Sequence, residues 1–275
     1  MESSGERLFS KRASFRKEYP FRKCLNRVNG IKRLIPHPIY SNRLCLGLMD
    51  PSIDRTPDLA YDDNLNALIK EVEPLYEMAD PAHDFSHIMR VCRNAIYIGK
   101  REGADMEILT LSALLHDAEC VSKCSENKEA FEAAPICISN FLDKKDLPEN
   151  KKEMILYSIS VHRFSKGIIP ITLEAKILQD ADRLDAMGAV GIARVFATGG
   201  ALGRALYNPE DPFCLRREPN DSIWNLDHFF KKLLKLESGM HTETAKKLAR
   251  IRASVLERYL SDLQAEIEGV ARDAV

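Results

Sequence analysis

An all-α fold is predicted for this 275-residue chain, and three observations predict it. From Asp62 onward apolar residues recur at intervals of three and four, the period of a helix with one buried face. Short breaks containing Pro, Gly or Asp separate these segments, and convincing alternation of polar and apolar residues is absent. An apolar fraction of 45% supplies a sizeable core, so residues 61–270 read as one helical domain.

Helices are predicted near 63–78, 84–101, 105–118, 126–142, 149–161, 173–198, 223–237 and 242–268. The third contains "EILTLSALLHD", apolar nearly all round, and is therefore expected at the centre. In the 173–198 segment the small residues Ala186, Gly188, Ala189, Gly191 and Ala193 permit close approach of other backbones. The last helix has Thr242 as its N-cap, with Leu248, Ile251, Val255 and Tyr259 on one face.

Residues 1–60 differ. They are rich in Arg, Ser and Pro, and Pro36, Pro38, Pro51 and Pro57 interrupt any long helix, so this arm is expected to be irregular and flexible. Residues 1–48 carry eleven Lys or Arg against three Glu, a net of +8, which leaves −9 in the remainder for a total of −1. An organellar presequence, a start at Met49 and a nucleic-acid-gripping arm are alternative readings; the last lacks interleaved aromatics.

The near-neutral balance argues against bulk capture of nucleic acid or membrane, and no run approaches the ~18 apolar residues of a span. The protein is expected to be soluble and cytoplasmic, or organellar if the arm is a presequence, and monomeric or a homodimer. Its seven cysteines are scattered without a CxxC pair, which fits reduced thiols rather than a disulfide framework. Cys120 and Cys124 are read as ordinary thiols, not as zinc ligands.

Chemistry concentrates at three places. In "HDFSHIMRV", His83 and His87 are one turn apart, and His87 continues onto the apolar stripe of Val91 and Ala95, so it faces inward. In "LLHDAE", His116 shares a side with Leu109 and Ala113, and Asp117 closes the apolar helix. A buried carboxylate there needs a cation, a cap or water.

The third place is "ILQDADRLDAMGAVGIARVF". Leu178, Asp182, Asp185, Ala189, Ile192 and Phe196 follow 4, 3, 4, 3, 4 spacing, which puts Asp182 and Asp185 on an otherwise apolar stripe and Asp180 off it. A lone inward histidine is more often a satisfied core ring than a ligand, and a single aspartate more often a polar break. Together, however, His87, His116, Asp117 and Asp182 form a two-imidazole, two-carboxylate set suited to Mn, Mg, Fe, Co or Ni. Such an ion lowers the pKa of bound water and polarises a phosphoryl oxygen, so hydrolysis of a phosphate ester or anhydride is the natural chemistry.

The order H … HD … D in these contexts resembles the HD-domain metal phosphohydrolases, and most closely their YpgQ-like branch. The resemblance runs from about Asp62 to Gly269 and includes "SVHRFSKG", "DHFFKKLLKL" and "MHTETAKKLARIRASVLERYL". It implies His87, His116, Asp117 and Asp182 as metal ligands, manganese as the preferred ion, and pyrophosphohydrolysis of nucleoside and deoxynucleoside triphosphates. After HD the branch carries further acids and a lysine, whereas this chain reads "AECVSK", with Glu119 standing in for an acid and Cys120 departing from the pattern.

Around the metal, Asp117 is also expected to orient the attacking water, with Glu119 as a further catalytic acid and His162 as a donor to a leaving or phosphate oxygen. Asp185 and His83 are candidates to orient a ligand histidine through its other ring nitrogen. Arg90, Arg183, Lys231 and Lys232 are candidates for holding phosphate, although each has an ordinary surface role as an alternative. His228 either packs or reaches the pocket. The rival functions are a 5′-nucleotidase acting on monophosphates, a cyclic-nucleotide phosphodiesterase and a non-catalytic nucleotide sensor.

Overall fold

The computed structural model describes residues 63–76, 85–118, 138–163 and 167–270. All belong to one compact unit, Pro57–Val275. The basic arm, His83, Glu119, Cys120 and Cys124 lie outside the described residues, as does most of the helix predicted at 126–142, of which 138–143 is helical. The described residues are helical with no strand; an isolated bridge pairs Ala205 with Trp224. None of the described helices is long and apolar enough to cross a membrane.

The described residues open with α1, Asp63–Val72, which tightens into a 3-10 turn over Glu73–Tyr76. Pro74 lacks the N–H that the α-helix would need there, so the predicted helix to residue 78 changes character early. Next come α2, Phe85–Glu102, and α3, Met106–Leu115. Asp105 caps α3 by accepting from the backbone N–H groups of Glu107 and Ile108.

As its composition requires, α3 is central: Leu109, Ala113, Leu114 and Leu115 are fully buried. It packs against α2, against α4 (Glu149–Val161) and against α5 (Leu173–Asp185). These four helices form the frame around the polar cluster at their meeting ends.

The continuous helix predicted over 173–198 is two helices, α5 and α6 (Gly188–Ala201). Leu184 O and Arg183 O accept from Met187 and Ala186, closing α5, and Gly188 then takes φ +66°. A Cβ at Gly188 would also press against Arg252, so the break depends on glycine both for dihedral freedom and for room. The stripe expected to continue through Ala189 and Phe196 therefore ends at Asp185.

The segment predicted as helix over 223–237 contains only the short α7, Asp227–Lys231, followed by 3-10 turns at Leu233–Lys235 and Glu237–Gly239. Before it, Asp227 is fully buried and holds its loop by accepting from Arg217 and from Asn220 N.

The last helix, α8, spans Glu243–Glu268, capped by Thr242 as predicted. Its buried face is the predicted one only in part: Leu248 and Tyr259 pack against the core. Ala245, Ala249, Ala253 and Leu256 point inward, whereas Ile251 is 64% exposed and Val255 39%. Alanines let α8 lie close on α5 and α6, and closeness outweighs side-chain size in choosing that face.

Candidate metal centre

His87 enters from the buried face of α2, and His116 and Asp117 follow the last turn of α3. His162 caps α4, while Asp182 and Asp185 come from α5. Donor atoms of His87, His116 and Asp117, all three residues buried, lie within 4.8 Å of one another. Asp182 joins them: its Oδ1 is 3.6 Å from His87 Nε2, and its side chain is 28% exposed toward a cleft.

Each histidine is oriented by its other ring nitrogen. His87 Nδ1 donates to Asp185 Oδ2 at 2.7 Å, His116 Nδ1 to Ala113 O at 2.8 Å, and His162 Nδ1 to Ile159 O at 2.6 Å. The three Nε2 atoms then face Asp117: those of His87 and His116 lie 3.7 Å from its Oδ2, and that of His162 3.5 Å from its Oδ1. Sequential edge-to-face ring contacts, His87 on His116 and His116 on His162, lock the set.

The donor set fits a divalent cation. His116 Nε2 is fully buried with no hydrogen-bond partner among the described residues. An orphaned lone pair in a buried site is costly unless an ion or water meets it. Separations of 3.6 to 3.7 Å are long for hydrogen bonds but suit atoms that converge on one ion at about 2.1 Å each.

The electrostatics match. Burial alone would depress His87, but Asp117, Asp185 and Asp182 outweigh it and raise the ring to about 9. Burial pushes His116 down to about 4, so its ring is neutral at ordinary pH. Although burial opposes it, the surrounding His116, His162 and His87 hold Asp117 well below the usual carboxylate range. Asp185 is held down likewise by His87, Arg90 and Arg194 against the effect of burial.

Asp180, off the predicted stripe, is fully buried, and α5 is enclosed on nearly every side. Its carboxylate accepts from His241 N, Thr242 N and Thr242 Oγ1 at 2.8 to 2.9 Å, so it anchors the start of α8. A single stripe cannot separate roles on a helix buried all round; Asp182 differs because it meets the cleft.

That cleft, about 560 Å³, is lined by His87, Asp117, His162 and Asp182 at one side and by Asp221, His228 and Lys231 at another. Of the predicted phosphate-binding residues, Lys231 reaches it while donating to Asp221, and Lys232 also lines it. Arg183 lines it too, but its guanidinium is engaged by Gln179, Gly239 O and His241. Arg90 is not brought to the cleft: it donates to both oxygens of Asp185 and lines a separate cavity beside Arg252.

Two cleft arginines went unrecognised in sequence. Arg163 lies 3.6 Å from Asp117 Oδ1, and Arg194 is 2.6 Å from Asp185 Oδ2. Arg163 adjoins His162 directly, which was a usable signal; Arg194 depends on the turn between α5 and α6, which was not.

Buried His and Asp side chains at the meeting point of four helices form a cluster able to hold a metal, and comparison with known proteins gives the chain its family. The HD domain family profile matches residues 84–187. The chain is 33% identical over 195 residues to the uncharacterized protein YpgQ of Bacillus subtilis strain 168, covering 68% of this chain and 86% of that one. It therefore belongs to the HD-domain family that includes YpgQ.

Solved structures agree. An HD-superfamily hydrolase from Bacillus thuringiensis is 35% identical, with a TM-score of 0.60 covering 74% of this chain and 96% of that one. YpgQ from Bacillus subtilis in complex with ADP is 31% identical, with a TM-score of 0.58 covering 75% and 100%.

Proposed function

We propose that this protein is a divalent-metal phosphohydrolase that converts nucleoside and deoxynucleoside triphosphates to monophosphates and pyrophosphate. The observation that carries the reading is the unbonded, buried His116 Nε2 among the side chains of His87 and Asp117, beside a cleft rich in cations. The ADP bound by the similar YpgQ structure supports a nucleotide as ligand.

His87, His116, Asp117 and Asp182 would hold the ion, with manganese the favoured one. When bound, it supplies a more acidic water and polarises a phosphoryl oxygen. Asp117 orients the attacking water. His162, its Nδ1–H tied to Ile159 O, presents Nε2 to Asp117 and takes up the proton. The water oxygen bonds to the α-phosphorus, the bond from that phosphorus to the bridging oxygen breaks, and its electron pair leaves on pyrophosphate. Arg163 and Lys231 balance phosphate charge in the cleft.

A panel of purified protein with Mn, Mg, Co, Ni and Fe against nucleoside tri-, di- and monophosphates tests this, with products separated. Monophosphate plus pyrophosphate from triphosphates is expected. Release of orthophosphate from monophosphates alone would replace the reading by a 5′-nucleotidase; binding of nucleotide without turnover would make the protein a sensor.

A further inference from the structure

We propose that a cationic chamber opening off the main cleft is a subsite for a phosphate chain, holding the phosphoryl groups beyond the one attacked. The inference rests on the phosphohydrolase reading for the chain's identity and adds where its unreacted end lies. The chamber, about 130 Å³, is walled by α6 and α7 and shares Arg194, His228 and Lys232 with the main cleft. At roughly 30 Å³ per water it holds a few waters, the scale of one or two phosphoryl groups.

Its lining includes Arg194, Arg204, His228 and Lys232 and no carboxylate. Arg194 is already engaged with Asp185. Arg204 and Lys232, both half-buried, make no side-chain hydrogen bond or ion pair among the described residues. Neighbouring cations withdrawn from water are costly unless an anion joins them. His228 donates from Nδ1 to Asp221 Oδ2 at 2.8 Å, which fixes the ring, and its other nitrogen can donate to a phosphate only when the ring is protonated, a form that a bound anion favours. Burial pushes this ring below its usual value, Asp221 pulls it back, and the Lys232 and Arg204 charges depress it further.

The chamber is built by backbone rather than by acids. Gly203, at φ +68°, turns the chain after α6, and Arg204 N donates to Gly199 O at 2.8 Å. The Ala205–Trp224 bridge and a bond from Asn225 Nδ2 to Arg204 O hold the loop beside α7. A substrate with one phosphoryl group near Asp117 and Asp182 reaches the chamber only if further phosphoryl groups follow. A monophosphate has nothing to place there, so the chamber favours polyphosphates.

Calorimetric titration of inorganic pyrophosphate into the full-length, chelator-treated protein tests the subsite. Pyrophosphate is expected to bind more tightly than orthophosphate, and Arg204→Gln and Lys232→Gln each to weaken it about tenfold or more. Arg258→Gln, on the outer face of α8 with a side chain 80% exposed, should match wild type. In the manganese assay, both chamber variants should raise KM for a triphosphate, and Arg204→Gln, whose residue lies outside the lining of the main cleft, should leave KM for an aryl phosphate unchanged. Near-UV dichroism identifies a misfolded variant, and the other chamber variant then carries the test. Equal pyrophosphate affinity in wild type and the folded chamber variants, or no binding to wild type, overturns the subsite. Pyrophosphate binding as expected without any hydrolysis overturns the phosphohydrolase reading and leaves the anion site; hydrolysis with unchanged triphosphate KM in the variants does the reverse.

Discussion

His87 Nδ1 donates to Asp185 Oδ2 across 2.7 Å, and this bond points the opposite ring nitrogen at Asp117 and Asp182. Asp185 also accepts from Arg90 and Arg194, so one carboxylate sets a histidine and two guanidinium groups. Asp185→Asn preserves shape but removes the charge. Its metal affinity, measured by titration with manganese, should fall about 10- to 100-fold; an unchanged affinity would show that the bond does not orient the ring.

The three aspartates of α5 should separate cleanly. Asp182→Ala is expected to lose metal, read by elemental analysis after gel filtration, with little change in the unfolding midpoint of the chelated protein. Asp180→Ala should keep metal in its folded fraction but destabilise the fold by about 2 to 4 kcal/mol in urea, since it strips three donors of their partner. Metal loss in the Asp180 variant alone would invert the assignment.

Metal uptake should release a proton. In the chelated protein His87 is protonated below about 9, whereas His116, at about 4, is already neutral at pH 7. Manganese affinity should therefore rise about tenfold per pH unit from about 5 to 8 and level off above about 9. Calorimetry in buffers of different ionisation heat should count close to one proton at pH 7. Without metal, the raised pKa stabilises the fold fully below 6.5, and that contribution disappears as pH rises through about 9.

The face of α8 makes a further prediction. Ile251→Lys, on the exposed side, should change unfolding free energy by no more than about 0.5 kcal/mol. Ala249→Leu, against the core, should cost about 1 to 3 kcal/mol by overpacking. Chemical denaturation measures both; the opposite order would restore the face drawn through Ile251 and Val255.

That face shows where sequence reading stops. His87 was legible because its local helical pattern has one clear buried side, and His116 because its helix is apolar nearly all round and therefore buried on every side. The α8 face was legible only in part: Leu248 and Tyr259 pack on the core, but small alanines take the place of Ile251 and Val255 through close contact with α5 and α6. The break at Gly188 left a trace in composition, but its left-handed dihedral is a property of the packed turn. Arg194 reaches Asp185 through that turn, so its role became visible only with the fold.

Asp180 ties the cleft to the far end of the chain. A protein truncated before His241 would lose none of His87, His116, Asp117 or Asp182, yet the Asp180 carboxylate would lose all three of its donors. Two positions from Asp182, α5 would then carry a buried acid with nothing to hold its charge. The C-terminal helix is thus a condition of the catalytic end rather than an appendage, and mapping this activity by serial deletion would mistake a structural tether for a chemical one.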